Sequence, residues 1–280
     1  MVAFADQHHM ETGCAALEVR SVAGQSAVTS AFACSPLKLL MPRSRGQSVW
    51  AYTSSFGGGF VAGDETRLDL RIGPGARCFV GTQASTKIYR NPRHLVCGHV
   101  TRAAVETGAL LVFAPDPVQP FAGSRYAQRQ TFELGAGAGL MLVDWFTSGR
   151  AARGERWAFD RFYSRNDVFL SGGRIFMDSI LLDSATGPLA PPHRAGRFNC
   201  FALLLLVGEP LKPAAASLLE NVAARPVKRC EGLITSASPV RGGAVLRVAG
   251  ESVESVGQEL HCHLKSVSAL LGDDPWARKW

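Results

Sequence analysis

Three soft metal ligands, His94, Cys97 and His99, fall within six residues of this 280-residue chain. Imidazole nitrogen and thiolate sulfur suit nickel, zinc or copper. On a strand, Cys97 and His99 would point the same way. No fourth ligand is evident beside them, so ordinary packing is the competing reading. His261, Cys262 and His263 repeat the chemistry, but positions i and i+2 of a predicted helix do not share a face. Acids and arginines crowd another stretch, where Asp144-Trp145 leads to Gly149-Arg150 and then to Arg153-Gly154-Glu155-Arg156-Trp157. A salt-bridged, solvated face is the plain reading of that stretch. Pro115-Asp116-Pro117 and Pro120-Phe121 form a rigid loop around one acid. The sequence has no GxSxG elbow, HExxH or paired CxxC, and nothing picks out a nucleophile and its base.

The run from Phe56 to Arg90 must be read before these groups can be placed. Gly58 and Gly63 have phosphate-loop spacing, yet Asp64 and Glu65 follow where Lys and Ser or Thr should meet phosphate and magnesium. Gly57-x-Gly59-x-x-Ala62 matches a dinucleotide fingerprint by letters, but that motif must open a helix. Here it opens a strand pattern, with Leu68, Leu70 and Ile72 alternating against Arg67, Asp69 and Arg71. The glycines therefore read as tight turns that need positive φ.

The elements around this run are mostly short strands. An apolar strand, a Gly-Ala turn and another apolar strand recur at Gly75-Ala76, Gly108-Ala109 and Gly137-Ala138, spaced 33 and 29 residues apart. A looser copy turns at Gly172-Gly173. Such a repeat suggests strands stacked layer on layer in a β-helix-like solenoid; a β-sandwich of hairpins is the rival. The fold class expected is mainly β, with stacked sheets over 1–190 and a smaller α+β, partly helical region over 191–280. Helices are predicted over 212–225 and 252–271.

Net charge is +7 and the pI about 9.2, which favours acidic partners. No stripe of Lys and Arg interleaved with aromatics marks a nucleic-acid surface. The seven cysteines are widely spaced, as suits free thiols in a reducing compartment. No signal-peptide pattern opens the sequence and no apolar run is long enough to span a bilayer, so a cytoplasmic protein is expected.

Four ordered blocks carry a resemblance. Gly58-Gly59-Phe60-Val61-Ala62-Gly63-Asp64 resembles the glycine-rich GD motif of the urease accessory protein UreD family, also called UreH. Thr82-Gln83-Ala84-Ser85-Thr86-Lys87-Ile88-Tyr89-Arg90 resembles its TQA-x-TK-x-YR motif. Pro115-Asp116-Pro117 with Pro120-Phe121 resembles its PDP-x-x-PF loop, and Asp144-Trp145, Gly149-Arg150 and Arg153-Gly154-Glu155 its DW…GR…RGE block. The sequence departs at Ser55-Phe56, where the family usually has proline, and at Gly81, where it usually has Thr. Neither change removes a charged or coordinating group.

The resemblance implies a non-enzymatic scaffold. Its partners would be UreF, the GTPase UreG and apo-urease, in a complex that could itself pair into a dimer. Nickel(II) would be cargo in transit through an internal tunnel, with no tightly bound cofactor. The matching transit positions are Asp64, Thr86, Asp144 and Asp178, with Glu155 a further acid. Scattered carboxylates and water bind a divalent ion weakly enough to let it move on. The alternative is a β-helix carbohydrate hydrolase, which would need paired carboxylates such as Asp64 and Asp144 in one groove.

Overall fold

Period-two alternation and glycine turns dictate most of this fold. The computed structural model describes residues 12–43, 46–226 and 230–277. The strands in chain order are β1 (Cys14–Val22), β2 (Gln25–Ala33), β3 (Leu37–Leu40), β4 (Val49–Ser55), β5 (Gly59–Phe60), β6 (Glu65–Ile72), β7 (Arg77–Thr82), β8 (Thr86–Ile88), β9 (Cys97–Val105), β10 (Leu110–Phe113), β11 (Val118–Pro120), β12 (Arg125–Leu134), β13 (Gly139–Thr147), β14 (Arg161–Leu170), β15 (Gly173–Asp183) and β16 (Cys200–Gly208). Helix α1 (Lys212–Ala223), strands β17 (Leu233–Val240) and β18 (Gly243–Gly250), and helices α2 (Val253–Leu264) and α3 (Ser268–Leu271) follow.

The chain winds as a β-helix. β4, β7, β10 and β13 stack in parallel along one wall. β6, β9, β12 and β14 stack in parallel along the other. The short strands β5, β8 and β11 stack at the corner between them. The repeat thus reflects coils of a solenoid, not the hairpins of a sandwich. Gly75, Gly108 and Gly137 start successive rungs with φ of +67°, +65° and +67°, a left-handed turn that strains any residue with a Cβ. Gly172-Gly173 differs: it closes an antiparallel hairpin between β14 and β15 and ends the winding. β1 pairs in parallel with β6, and β2 folds back on β1 at the opposite edge.

Two apolar layers hold the body together. Inside the coils, alternate residues such as Leu68, Leu70, Ile72, Phe132, Leu140, Leu142 and Phe162 bury against one another. On the outer face of the sheet that includes the β4–β13 wall, Phe79, Val112, Met141 and Val143 share a second buried cluster with Leu218, Val256, Leu260 and Leu271 of the helices, α1 lying over β16 to β18, α2 over β16 and β18, and α3 against β7. β16 joins β13 in antiparallel register and β18 joins β16, so the strands after residue 190 extend the same sheet. The helices fall within the predicted spans; the second breaks at Leu264, with a short helical turn before α3. All seven cysteines are free thiols. No helix among the described residues is long and apolar enough to cross a membrane.

Candidate functional site

The four motif blocks stack at one corner. Each lies at a matching point of consecutive coils, about thirty residues apart in sequence. Gly59 approaches the next coil so closely that a Cβ there would lie 2.3 Å from the Lys87 carbonyl oxygen. The Tyr89 hydroxyl donates to the Gly57 carbonyl at 2.7 Å, and the Tyr89 ring meets Phe121 edge-on at 5.5 Å. The Arg150 guanidinium lies over the Phe121 ring, 4.2 Å from its centroid. Arg150 also pairs with Glu155, whose carboxylate accepts the Ala122 N–H at 3.3 Å. Gly149 sits with φ +107°, where a Cβ would meet the Pro120 carbonyl at 2.7 Å. Gly63 and Gly154 close turns with φ of +87° and +77°. Glu155 and most motif glycines therefore build the corner, while Lys87 and Arg90 remain exposed on it.

The corner borders a cavity of about 130 Å³ inside the coils. Exposed Gly58, Gln83 and Ala84 stand at its mouth, with Thr86 and Asp116 beside them. Ser54 donates to the Gln83 side-chain oxygen at 2.8 Å, fixing it across the rim. Deeper in, His99, Tyr126, Gln128, Gln130 and Asp144 form the wall.

That wall is a polar ladder within an apolar core. Thr66, His99, Gln128 and Ser164 stand in register on β6, β9, β12 and β14. One row over, Thr101, Gln130, Asn166 and Asp178 stand in register on β9, β12, β14 and β15. Gln130 donates to Asn166 at 2.8 Å, and Tyr126 donates to Gln128 at 3.1 Å. Sequence reasoning did not single out Gln128, Gln130, Ser164 or Asn166. The available signal was the β12 row Tyr126, Gln128, Gln130, Phe132, Leu134, which mixes amides with core residues at period two.

Asp144 completes the ladder from the opposite wall. Its position on β13 shares the inward row with Leu140, Leu142 and Phe146, while Trp145 turns outward and donates to the Pro115 carbonyl at 2.8 Å. The carboxylate accepts from Gln128 Nε2 at 3.0 Å, Ser164 Oγ at 2.7 Å and Asn166 Nδ2 at 2.7 Å. Burial pushes its pKa up, and the three donors act against that. Asp144 nevertheless keeps accessible surface. The reason is that it lines cavities: the one described above and a second of about 370 Å³. The second cavity also takes in Asp178, Ile180, Phe201, Leu203 and Arg247. There Asp178 accepts from Arg247 at 2.8 Å.

The other predicted positions lie elsewhere. Asp64 caps the turn before β6, accepting the Val61 N–H at 2.8 Å, and neither Asp144 cavity includes it. The acid pair Asp64 and Asp144 therefore shares no groove. His94, Cys97 and His99 have three different sets of partners. His94 is exposed and faces Asp160. Cys97 donates to the Arg125 carbonyl at 3.2 Å, and burial, then Asp64, pushes its thiol up to about 12, so it is no thiolate at neutral pH. His99 stands between the hydroxyls of Thr66 and Thr101, and burial lowers its imidazole to about 4. Among the described residues, no three His, Cys, Asp or Glu gather to hold a metal ion.

The sequence of the whole chain has close parallels. The family model described as UreD urease accessory protein matches residues 11–280. A urease accessory protein UreD of Sorangium cellulosum strain So ce56 is 49% identical over 273 residues, covering 96% of this chain and 85% of that protein. One from Anaeromyxobacter sp. strain Fw109-5 is 42% identical, covering 96% and 90%. A urease accessory protein D of Arabidopsis thaliana is 33% identical, covering 92% and 98%. By matched length and by identity, this chain belongs to the UreD urease accessory protein family.

Proposed function

We propose that the chain is a non-catalytic scaffold that conducts nickel(II) toward apo-urease, in a complex with UreF and UreG. The observation that carries this reading is Asp144, which lines both cavities and is held by three donors. The two cavities would be successive segments of one passage, from Gln83 and Thr86 at the mouth past Asp144 to Asp178. A carboxylate with amides, hydroxyls and room for water offers hard, weak and exchangeable ligation. A divalent ion can enter such a site and leave it, which a closed cage of thiolates would prevent. Asp116, at the mouth, adds a further carboxylate on the same route.

The test compares Asp144→Asn, Asp178→Asn and the double variant for thermal stability, co-elution with UreF, and nickel-dependent urease activation. Conduction requires activation to fall further than any loss of melting temperature explains, furthest in the double variant, while co-elution stays near normal; Asp144→Asn itself, with one acceptor facing three donors, should melt somewhat lower. Parallel loss of all three readouts, or full activation by the double variant, overturns it.

A further inference from the structure

We propose that His99 Nε2 is a transient nickel(II) ligand inside the coils, handing the ion to Asp144 across Gln128. This rests on the passage reading above and adds a residue that the acidic positions do not supply.

The tautomer of His99 is legible from its neighbours. The Thr66 hydroxyl donates its hydrogen to the Gly98 carbonyl at 3.1 Å. Its oxygen lies 2.8 Å from His99 Nδ1; with the hydroxyl hydrogen given to Gly98, the assignment is Nδ1–H donating to that oxygen. Nε2 then carries the lone pair, with the Thr101 hydroxyl 3.2 Å away as a weak donor. A ring nitrogen fixed by an outer partner is the arrangement of metal-ligating histidines, and an incoming ion would have to displace the Thr101 hydroxyl from Nε2. The Phe60 ring stacks on the imidazole at 6.0 Å and holds its plane.

Place and chemistry agree. His99 keeps accessible surface because, like Asp144, it lines the inner cavity. It is the register neighbour of Gln128, whose amide donates to Asp144 at 3.0 Å. An imidazole station followed by a carboxylate one, with water filling the other positions, favours a borderline ion such as nickel(II) over magnesium or calcium, which prefer oxygen alone. A single protein ligand at each station also binds weakly enough for release.

The experiment uses the full-length chain with ¹⁵N-labelled histidine and long-range ¹H–¹⁵N correlation. The expected spectrum places His99 in the Nδ1–H tautomer, and substoichiometric nickel(II) broadens its resonances. Sharp His99 resonances under nickel, or the opposite tautomer, overturn the proposal, and this reading needs no variant. In parallel, His99→Asn keeps a donor for Thr66 and removes the Nε2 ligand. It should raise the nickel concentration for half-maximal urease activation by about tenfold or more with the maximum unchanged; His94→Asn should not move it. A half-maximal concentration equal to wild type in His99→Asn overturns the proposal. Asp144→Asn separates the two ideas: full activation there sinks the passage itself. Lost activation in Asp144→Asn beside wild-type behaviour in His99→Asn sinks only the histidine station.

Discussion

Thr82 and Asp116 hold each other across consecutive coils. The Thr82 hydroxyl donates to the Asp116 carboxylate at 2.9 Å and accepts the Asp116 N–H at 2.7 Å. Two motif blocks separated by some thirty residues are thereby clasped at the cavity mouth, where both residues form the rim. Thr82→Val keeps the shape and removes both bonds around a carboxylate that is 8% exposed. Such a loss costs about 1–3 kcal/mol, so urea unfolding should shift clearly for Thr82→Val and little for Thr82→Ser. Equal stability of the two variants would show that the clasp contributes nothing.

Gly59 and Gly75 are needed for different reasons, and two substitutions separate them. Gly75 has positive φ and open space around its Cβ position. Asn visits that conformation readily, so Gly75→Asn should cost less than Gly75→Val. Gly59 has extended backbone, but its Cβ would collide with the Lys87 carbonyl. No side chain relieves that overlap, and Gly59→Ala should cost about 1–3 kcal/mol through a forced shift between coils. The check is the melting temperature of all three variants beside wild type.

The Arg150–Glu155 pair gives the corner a pH dependence. The bond to Arg150 holds the Glu155 carboxyl below its usual range, with burial opposing and the Ala122 N–H assisting. A depressed folded pKa adds stability that is present above the unfolded carboxylate value and is lost as pH falls through the folded one. Wild type should therefore melt above Glu155→Gln at pH 7, and the gap should close as pH falls below about 4. A gap that is constant with pH would assign the effect to packing of Phe121 under Arg150 rather than to charge.

Much of this architecture was legible from residue types. Period-two alternation located β6, and the Gly-Ala pairs located the rung turns, because both are local requirements of backbone and burial. The stacking of the four motif blocks was not legible, since contacts such as Tyr89 with Gly57 and Arg150 with Phe121 join different coils. Gln128, Gln130, Ser164 and Asn166 stand in period-two rows with Phe132, Leu134, Phe162 and Val168, but polar types in such a row do not by themselves mark a site. The register of β12 against β14 brings them together, so that each amide finds a partner and escapes the penalty of a buried, unpaired polar group. Asp64 stood in a family motif, yet its own turn claims the carboxylate through Val61 N–H. His99 differed from His94 only in facing inward, a distinction that spacing cannot make.

Arg247 supplies the last prediction, because it opposes the role proposed for Asp178. Asp178 sits in the second cavity with its side chain 13% exposed, paired with an Arg247 side chain that is 54% exposed. A half-exposed pair of this kind contributes only about 0.2–1 kcal/mol, so Arg247→Met, which keeps an apolar stem over the cavity wall, should fold normally. Electrostatically its effect is larger in consequence. With Arg247 in place, the Asp178 charge is balanced and a passing cation meets little net attraction. Without it, the carboxylate is free and the repulsion from the guanidinium is gone. Nickel retained by the chain at equilibrium dialysis should therefore rise in Arg247→Met and fall in Asp178→Asn, and the double variant should follow Asp178→Asn. Opposite shifts in the two single variants locate the ion beside Asp178. Retention that falls in Arg247→Met, or does not respond to either change, places the cation route elsewhere.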